Sequence, residues 1–395
     1  MYLTREQEQI LNGEKGEILQ RMFRLLTRLG DIYKADKMIP IGSVQVAGVS
    51  YKSIGDPGLE FLEDLAHKGA RVQVLTFLNP AGMDLEEWDI LGFPHDFSAK
   101  QLRIITAFKE MGIVPTATCT PYLIGNLPRF GEHLAWSESS AVSFANSVIG
   151  ARTNREGGPS ALAAALCGLT PNYGLHLPGN RIPEVVIEVK AQMGTLADFG
   201  ALGHLVGKQV RSKIPYFTGI FDVTSDHLKS LGAAMAASGA VALYHIKDIT
   251  PESHLMDVKG LETIHVTQKD IKETYESLNQ GTNPDIIIFG CPHSSLREII
   301  HLAKKIEGKK LKKPVWICTS RAMKEIANRM GLTSIIEKAG GKLVADTCMV
   351  VSPLEQMGYS TTAVNSAKAA QYLPGFCKQT VVYGNIDDLL KEQIK

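Results

Sequence analysis

Residues 285–291 read Asp-Ile-Ile-Ile-Phe-Gly-Cys, with no polar residue between the aspartate and the glycine. A strand with one wet face shows water a polar side chain at every second position. This one does not, so it is buried on both faces, as strands of parallel sheets are. Parallel neighbours need long crossovers, and the sequence supplies them: a helical pattern over 296–305, a strand over 314–319, helices over 321–330 and 334–339, and a strand over 342–348. The theme recurs upstream. A strand over 43–50 leads through the 51–55 loop to a helix capped by Asp56-Pro57, then to a strand over 71–77. A helix over 99–111 precedes a strand over 113–119. A strand over 183–190, a helix capped by Thr195 and a helix–strand unit over 222–246 follow. The fold class expected is α/β, in layered α/β/α domains with mostly parallel sheets. A polar stretch at 248–260 reads as a domain edge. Three α/β regions are expected, over 1–185, 186–284 and 285–395.

Composition excludes several roles. With 395 residues, a net charge of +1 and a pI near 7.7, nothing pulls the chain toward nucleic acid or acidic membranes. The lysine-rich run 304–313 has no interleaved aromatics and reads as a solvated turn. No eighteen apolar residues run together, so no membrane span is expected. At the amino end Thr4 and Gln7 form a capping box for a helix ending near Gly30, with no signal peptide, and the expected compartment is the cytoplasm.

Six cysteines are scattered without CxxC pairs, which predicts reduced thiols. Cys119, Cys291, Cys318 and Cys348 each fall at a predicted strand end, where side chains from different strands of an open sheet converge. Cys167 lies in a helix pattern and Cys377 in a late turn. Three converging thiolates can hold zinc, or an iron–sulfur cluster with one iron left open. Spacing alone leaves all four strand-end cysteines as candidates. The stretch 136–176 adds a helix capped from Ser137, Glu138, Ser139 and Ser140, then a polar loop with Arg152, Asn154 and Arg155 entering an alanine-rich helix. Such a loop suits an anionic ligand, and it equally suits an ordinary capped connection.

The runs FANSVIGARTNR at 144–155, TFLNPAGMD at 76–84, GCPH at 290–293 and DTCMV at 346–350 resemble the aconitase X family, in the family's order and across the whole chain. The resemblance implies an aconitase-like fold, a dehydration reaction and an iron–sulfur cluster, 4Fe–4S or 3Fe–4S once the open iron is lost. Carried over by motif, its ligands are Cys119, Cys291 and Cys348, and Cys318 becomes a neighbouring structural thiol. The chain stops soon after residue 384 and so resembles the large subunit of the two-chain type, lacking the swivelling domain. That domain belongs to a small partner subunit, which is expected to supply the general base, a serine. For archaeal pairs of this kind the implied reaction is dehydration of mevalonate 5-phosphate to trans-anhydromevalonate 5-phosphate, a step of isoprenoid synthesis. The alternative is cis-3-hydroxy-L-proline dehydration. Two features favour the phosphorylated hydroxy acid, the helix start at Gly157-Gly158 and the cation of Lys52 beside 48–50.

Expected substrate contacts are Gly48, Val49 and Ser50, then Asn79 and Pro80, with Glu138 and Ser139 at a helix start and Lys368 as the cation. Arg152 and Asn154 come second. Two rivals complete the expectations. One is an RNA-binding regulator, which the neutral charge and the lack of aromatic–basic stripes oppose. The other is a cluster-free enzyme using Cys291 and His293 as a thiol–imidazole pair.

Overall fold

Ile286–Phe289 is the central strand of a five-stranded parallel sheet, ordered Gly341–Ala345, Val315–Thr319, Ile286–Phe289, Thr361–Val364, Thr380–Tyr383. All four residues of that strand are fully buried, each side chain contributing roughly 1.5–3 kcal/mol. From it the chain steps outward twice in one direction, then returns to the other side for the last two strands. The strand order therefore reverses between Ile286–Phe289 and Thr361–Val364. In this computed structural model residues 1–391 and 393–394 are described. Glu392 and Lys395, in the last expected region, lie outside the described residues.

Two more parallel sheets precede it. Leu75–Leu78, Ser43–Val46 and Ala135–Trp136 form the first; His245–Ile246, Pro215–Thr218, Val185–Val189 and Thr263–Val266 form the second. Met38–Pro40 pairs antiparallel with Leu169–Pro171. Helices cover the sheets, giving the α/β class expected. The apolar core of the second sheet runs on into the third, joining Ile187 and Phe217 to Ile288 and Val344. Two helices, Leu196–Val210 and Ser225–Gly239, meet almost backbone to backbone: a Cβ on Gly239 would stand 1.9 Å from the Gly207 carbonyl oxygen. Among the described residues no helix is long and apolar enough to cross a membrane.

Several expectations need correction. The first helix is two, Arg5–Leu11 and Glu17–Ile32, because Gly13 and Gly16 adopt left-handed φ of 88° and 100° between them. The helix given to Asp56 starts earlier: Ser50 caps Tyr51–His67, which kinks at Gly55 and so places Pro57 in a fresh first turn where its missing N–H costs nothing. Residues 113–119 form no regular strand. Along the backbone a bridge at Val114 and the Thr118 N–H to the Leu78 oxygen (3.0 Å) tie them to the sheet, and Ala117 turns the chain with φ 40°. The polar stretch 248–260 ends no sheet, since Thr263–Val266 beyond it pairs with Val185–Val189. Cys377 is no turn residue: it closes the helix Ala367–Cys377, buried, with Sγ 3.1 Å from the Val350 oxygen.

Candidate active site

Three loops carry the thiols, each leaving the carboxyl edge of a sheet. Cys119 ends the irregular arm beside Leu75–Leu78, Cys291 follows Ile286–Phe289, and Cys348 follows Gly341–Ala345. Hydrogen bonds lace the loops together. The His293 N–H donates to Cys119 Sγ at 3.1 Å, His293 Nε2 meets the Thr347 oxygen at 2.9 Å, and Ala81 bridges to Thr347. Cys348 stands close enough to both Cys119 and Cys291 to raise their pKa values. Burial is the larger cause, pushing Cys291 up to about 12 and Cys119 well above the usual thiol range. Cys318 lies behind, wholly buried, and is sensed by the same thiols.

Lys368 faces this group. Its Nζ pairs with Glu138 Oε1 and donates to Ser140 Oγ at 3.2 Å, with both members of the pair buried. Burial pushes the Glu138 carboxyl up, but Lys368, Ser140 and the Ala141 N–H (2.8 Å) outweigh it and hold Glu138 below the usual range. Burial likewise disfavours the Lys368 cation, and Glu138 with Cys291 and Cys119 more than restores it. Ser139, the first residue of the helix Ser139–Phe144 that Glu138 caps, is half-buried beside them.

The loop after Ser43–Val46 supplies a different chemistry. Gly48 takes φ 80°, and the backbone N–H groups of Gly48, Val49 and Ser50 make no hydrogen bond among the described residues. Val49 and Ser50 are nevertheless 1% exposed. Buried amides without partners are rare in folded chains, and a row of them receives an anion. The Ser50 hydroxyl is itself occupied, donating to the Val351 oxygen at 2.8 Å. Asn79 and Pro80 follow Leu75–Leu78. The Asn79 N–H donates to the Val46 oxygen at 2.9 Å, leaving Oδ1 buried without a partner.

Other expected residues lie apart from this group. Arg152 reaches the His176 oxygen at 3.4 Å, beside His133. The Asn154 carboxamide is occupied in pinning Leu175 N–H (2.8 Å) and the Tyr173 oxygen (3.1 Å). Lys52 is not free for a ligand phosphate either: it pairs with Glu355 at 2.7 Å and donates to the Ser352 oxygen at 2.8 Å. The thiol–imidazole rival fails on geometry. Both His293 ring nitrogens are engaged, Nδ1 with Thr118 Oγ1 at 3.0 Å and Nε2 with the Thr347 carbonyl, so Nε2 carries the proton. Burial lowers this imidazole to about 4, and it stays neutral.

Sequence reasoning missed the parts that hold the loops. Asp84, fully buried, accepts from Arg321 Nη2 at 2.5 Å and from the Ala345 N–H at 2.9 Å, and Arg321 also reaches Asp346 at 2.5 Å. Burial raises Asp84 yet Arg321 and the Glu87 N–H hold it low, whereas burial carries Asp346 up to about 6. Tyr122 was also missed. Its buried hydroxyl has no partner, and its ring stacks on Phe144 at 3.9 Å. Gln45 had a signal, an amide inside a strand whose every residue is buried; its Nε2 donates to the Thr118 oxygen at 2.7 Å and its Oε1 is unpartnered.

No three of the described His, Cys, Asp or Glu residues converge closely enough for a single ion. Three soft thiols on three loops, with the unpartnered Tyr122 hydroxyl close enough to sense Cys119, instead suit a larger group with sulfur-loving metals.

Comparison with known proteins agrees along the full length. Residues 1–179, 183–276 and 284–395 match the first, second and third domains of aconitase X. The phosphomevalonate dehydratase large subunit of Methanocaldococcus jannaschii is 57% identical over 99% of this chain and 100% of its own. A crystal structure of Thermococcus kodakaraensis aconitase X in its holo-form superposes with a TM-score of 0.94, at 49% identity and covering 100% of both chains. A cis-3-hydroxy-L-proline dehydratase of Pseudomonas aeruginosa is 33% identical over 95% of this chain, which spans 67% of that protein.

Proposed function

The chain belongs to the aconitase X family, and on that premise we propose that it is the large subunit of an iron–sulfur hydro-lyase that dehydrates (R)-5-phosphomevalonate to trans-anhydromevalonate 5-phosphate for isoprenoid synthesis. The observation that supports the reading is that Cys119, Cys291 and Cys348 each sense the charge of the buried Lys368–Glu138 pair. Similarity supports the phosphorylated substrate over hydroxyproline, because the chain is 57% identical to the phosphomevalonate relative and 33% identical to the hydroxyproline one.

Cys119, Cys291 and Cys348 would hold the cluster, which when bound supplies a Lewis-acidic iron for the departing hydroxyl. The rest falls to the chain's own groups. Lys368, kept charged by Glu138, places a cation beside the reacting end of an anionic substrate. The free amides of Gly48, Val49 and Ser50 receive one of its anionic groups, and Asn79 Oδ1 accepts from a hydroxyl. A base is missing. Glu138 is committed to Lys368 and Ser140, and His293 is locked neutral with both nitrogens engaged. This supports a base contributed by a small partner subunit carrying the swivelling domain, which the relatives' designation as large subunits also favours.

The test is turnover of 5-phosphomevalonate by anaerobically purified chain, with and without its small partner, followed by NMR. Product is expected only from the pair. The protein should be brown, and Cys119→Ala, Cys291→Ala and Cys348→Ala should each bleach it while Cys318→Ala does not. Turnover of cis-3-hydroxy-L-proline instead would reject the substrate and leave the cluster standing.

A further inference from the structure

Two adjoining cavities lie where the carboxyl edges of the second and third sheets face each other. The outer, of about 300 Å³, is walled by residues including Ala197, His227, Arg297 and Asn365. The inner one reaches Cys291, and the two share Leu196, Asp226, Glu298 and Asn365. They open at the point where the strand order of the third sheet reverses, between Ile286–Phe289 and Thr361–Val364, the place where open α/β sheets take ligands.

Three helices begin in this wall: Leu196–Val210, Ser225–Gly239 and Leu296–Ile306. Thr195, Thr224 and Ser295 cap their third amides. The first two amides of each have no intrahelical acceptor, and none of the six bonds elsewhere among the described residues. Three positive helix ends thus converge. Side chains add to them. Asn365, 8% exposed, walls both cavities, and among the described residues its carboxamide makes no hydrogen bond and Arg297 at the rim has no ion pair. Of the carboxylates present, Asp226 and Glu298 share the single cation Lys229, which offsets one of their two charges, and Asp387 binds Lys305 at 2.5 Å. His227 turns Nδ1 to the Thr224 N–H at 3.2 Å and stacks on Phe199.

We propose that this crevice is a second ligand site, separate from the contacts at Gly48, Val49, Ser50 and Lys368, and that it takes a small phosphorylated anion. Donors arriving from three helices, a buried carboxamide and a guanidinium match an oxyanion with several oxygens rather than a planar carboxylate.

The full chain is titrated with inorganic pyrophosphate by calorimetry, alone and with excess 5-phosphomevalonate. Saturable one-site binding is expected, at least about tenfold weaker in Arg297→Gln and in Asn365→Leu and unchanged by 5-phosphomevalonate. Arg297 is exposed and unpaired, so its variant keeps the fold. Absence of saturable binding, or binding that both variants leave intact, overturns the proposal. Displacement by 5-phosphomevalonate also overturns it, by assigning the crevice to the substrate's own phosphate. Binding is read without turnover, so failure of the dehydratase reading leaves this result independent.

Discussion

Replacing Asp84 with asparagine removes one charge and keeps the shape. The carboxylate is completely buried and accepts from the Glu86 and Glu87 amides at 3.0 Å each, from Arg321 at 2.5 Å and, through its other oxygen, from the Ala345 amide at 2.9 Å, with Lys324 at 3.7 Å. Both oxygens face donors, so either orientation of the amide sets its NH₂ against an N–H. Removing one partner of a buried ion pair costs about 3–5 kcal/mol, and orphaning a buried donor adds about 1–3 kcal/mol. Arg321 is 22% exposed, which screens part of the first figure. We expect Asp84→Asn to cost about 4 kcal/mol, a large share of a stability of roughly 5–15 kcal/mol. Urea unfolding of the isolated chain, followed by fluorescence of Trp316 where it packs on Phe93 at 5.8 Å, measures it. Arg321→Met should be costly too. The double variant should cost about 2 kcal/mol less than the sum, because each change removes the charge the other orphans. A single-variant cost under about 1 kcal/mol, or additivity within about 0.5 kcal/mol, refutes the reasoning.

Other consequences are as open to measurement. Burial raises Glu156, whose Oε1 has no partner, so the stability held by its protonated form is complete below the ordinary value of 4.5 and is lost as pH rises through the folded pKa. Glu156→Gln should therefore stabilise the chain at neutral pH, with the gain vanishing below that ordinary value in pH-dependent denaturation; a gain that persists there contradicts it. His176 runs the other way: burial, then His133, lowers it to about 3, so stability falls as pH drops from 6.5 toward that value, and His176→Asn should flatten the slope. Gly290 holds φ 93°, and a Cβ there would stand 2.1 Å from the Cys318 oxygen. Gly290→Ala should cost about 3 kcal/mol or more and speed alkylation of Cys291 by iodoacetamide; an unchanged melting temperature would show that the backbone yields easily.

The sheets were legible because burial on both faces writes itself into composition. Ile286, Ile287 and Ile288 could belong to nothing but an interior strand, and capping residues such as Thr195 and Ser295 marked the crossovers. The arm 113–119 was misjudged because alternation there reflects a single bridge and a turn at Ala117, which periodicity does not distinguish from a ladder. Lys52 looked like a free cation because Glu355 lies 303 residues away in sequence. A separation of 237 residues hid the joining of Asp84 to Arg321, and no local pattern announces that Thr118 and Thr347 will fix the ring of His293.

The thiols sit on loops far apart in the chain, Cys119 beside the first sheet and Cys291 and Cys348 at the edge of the third, and this sets when they can meet. Cys119 leaves the ribosome more than two hundred residues before Cys348, and until Gly341–Ala345 has joined its sheet no nascent segment gathers the full set. A cluster held by Cys119, Cys291 and Cys348, as proposed above, would therefore gain its third thiol only once Gly341–Ala345 and the loop after it have been made.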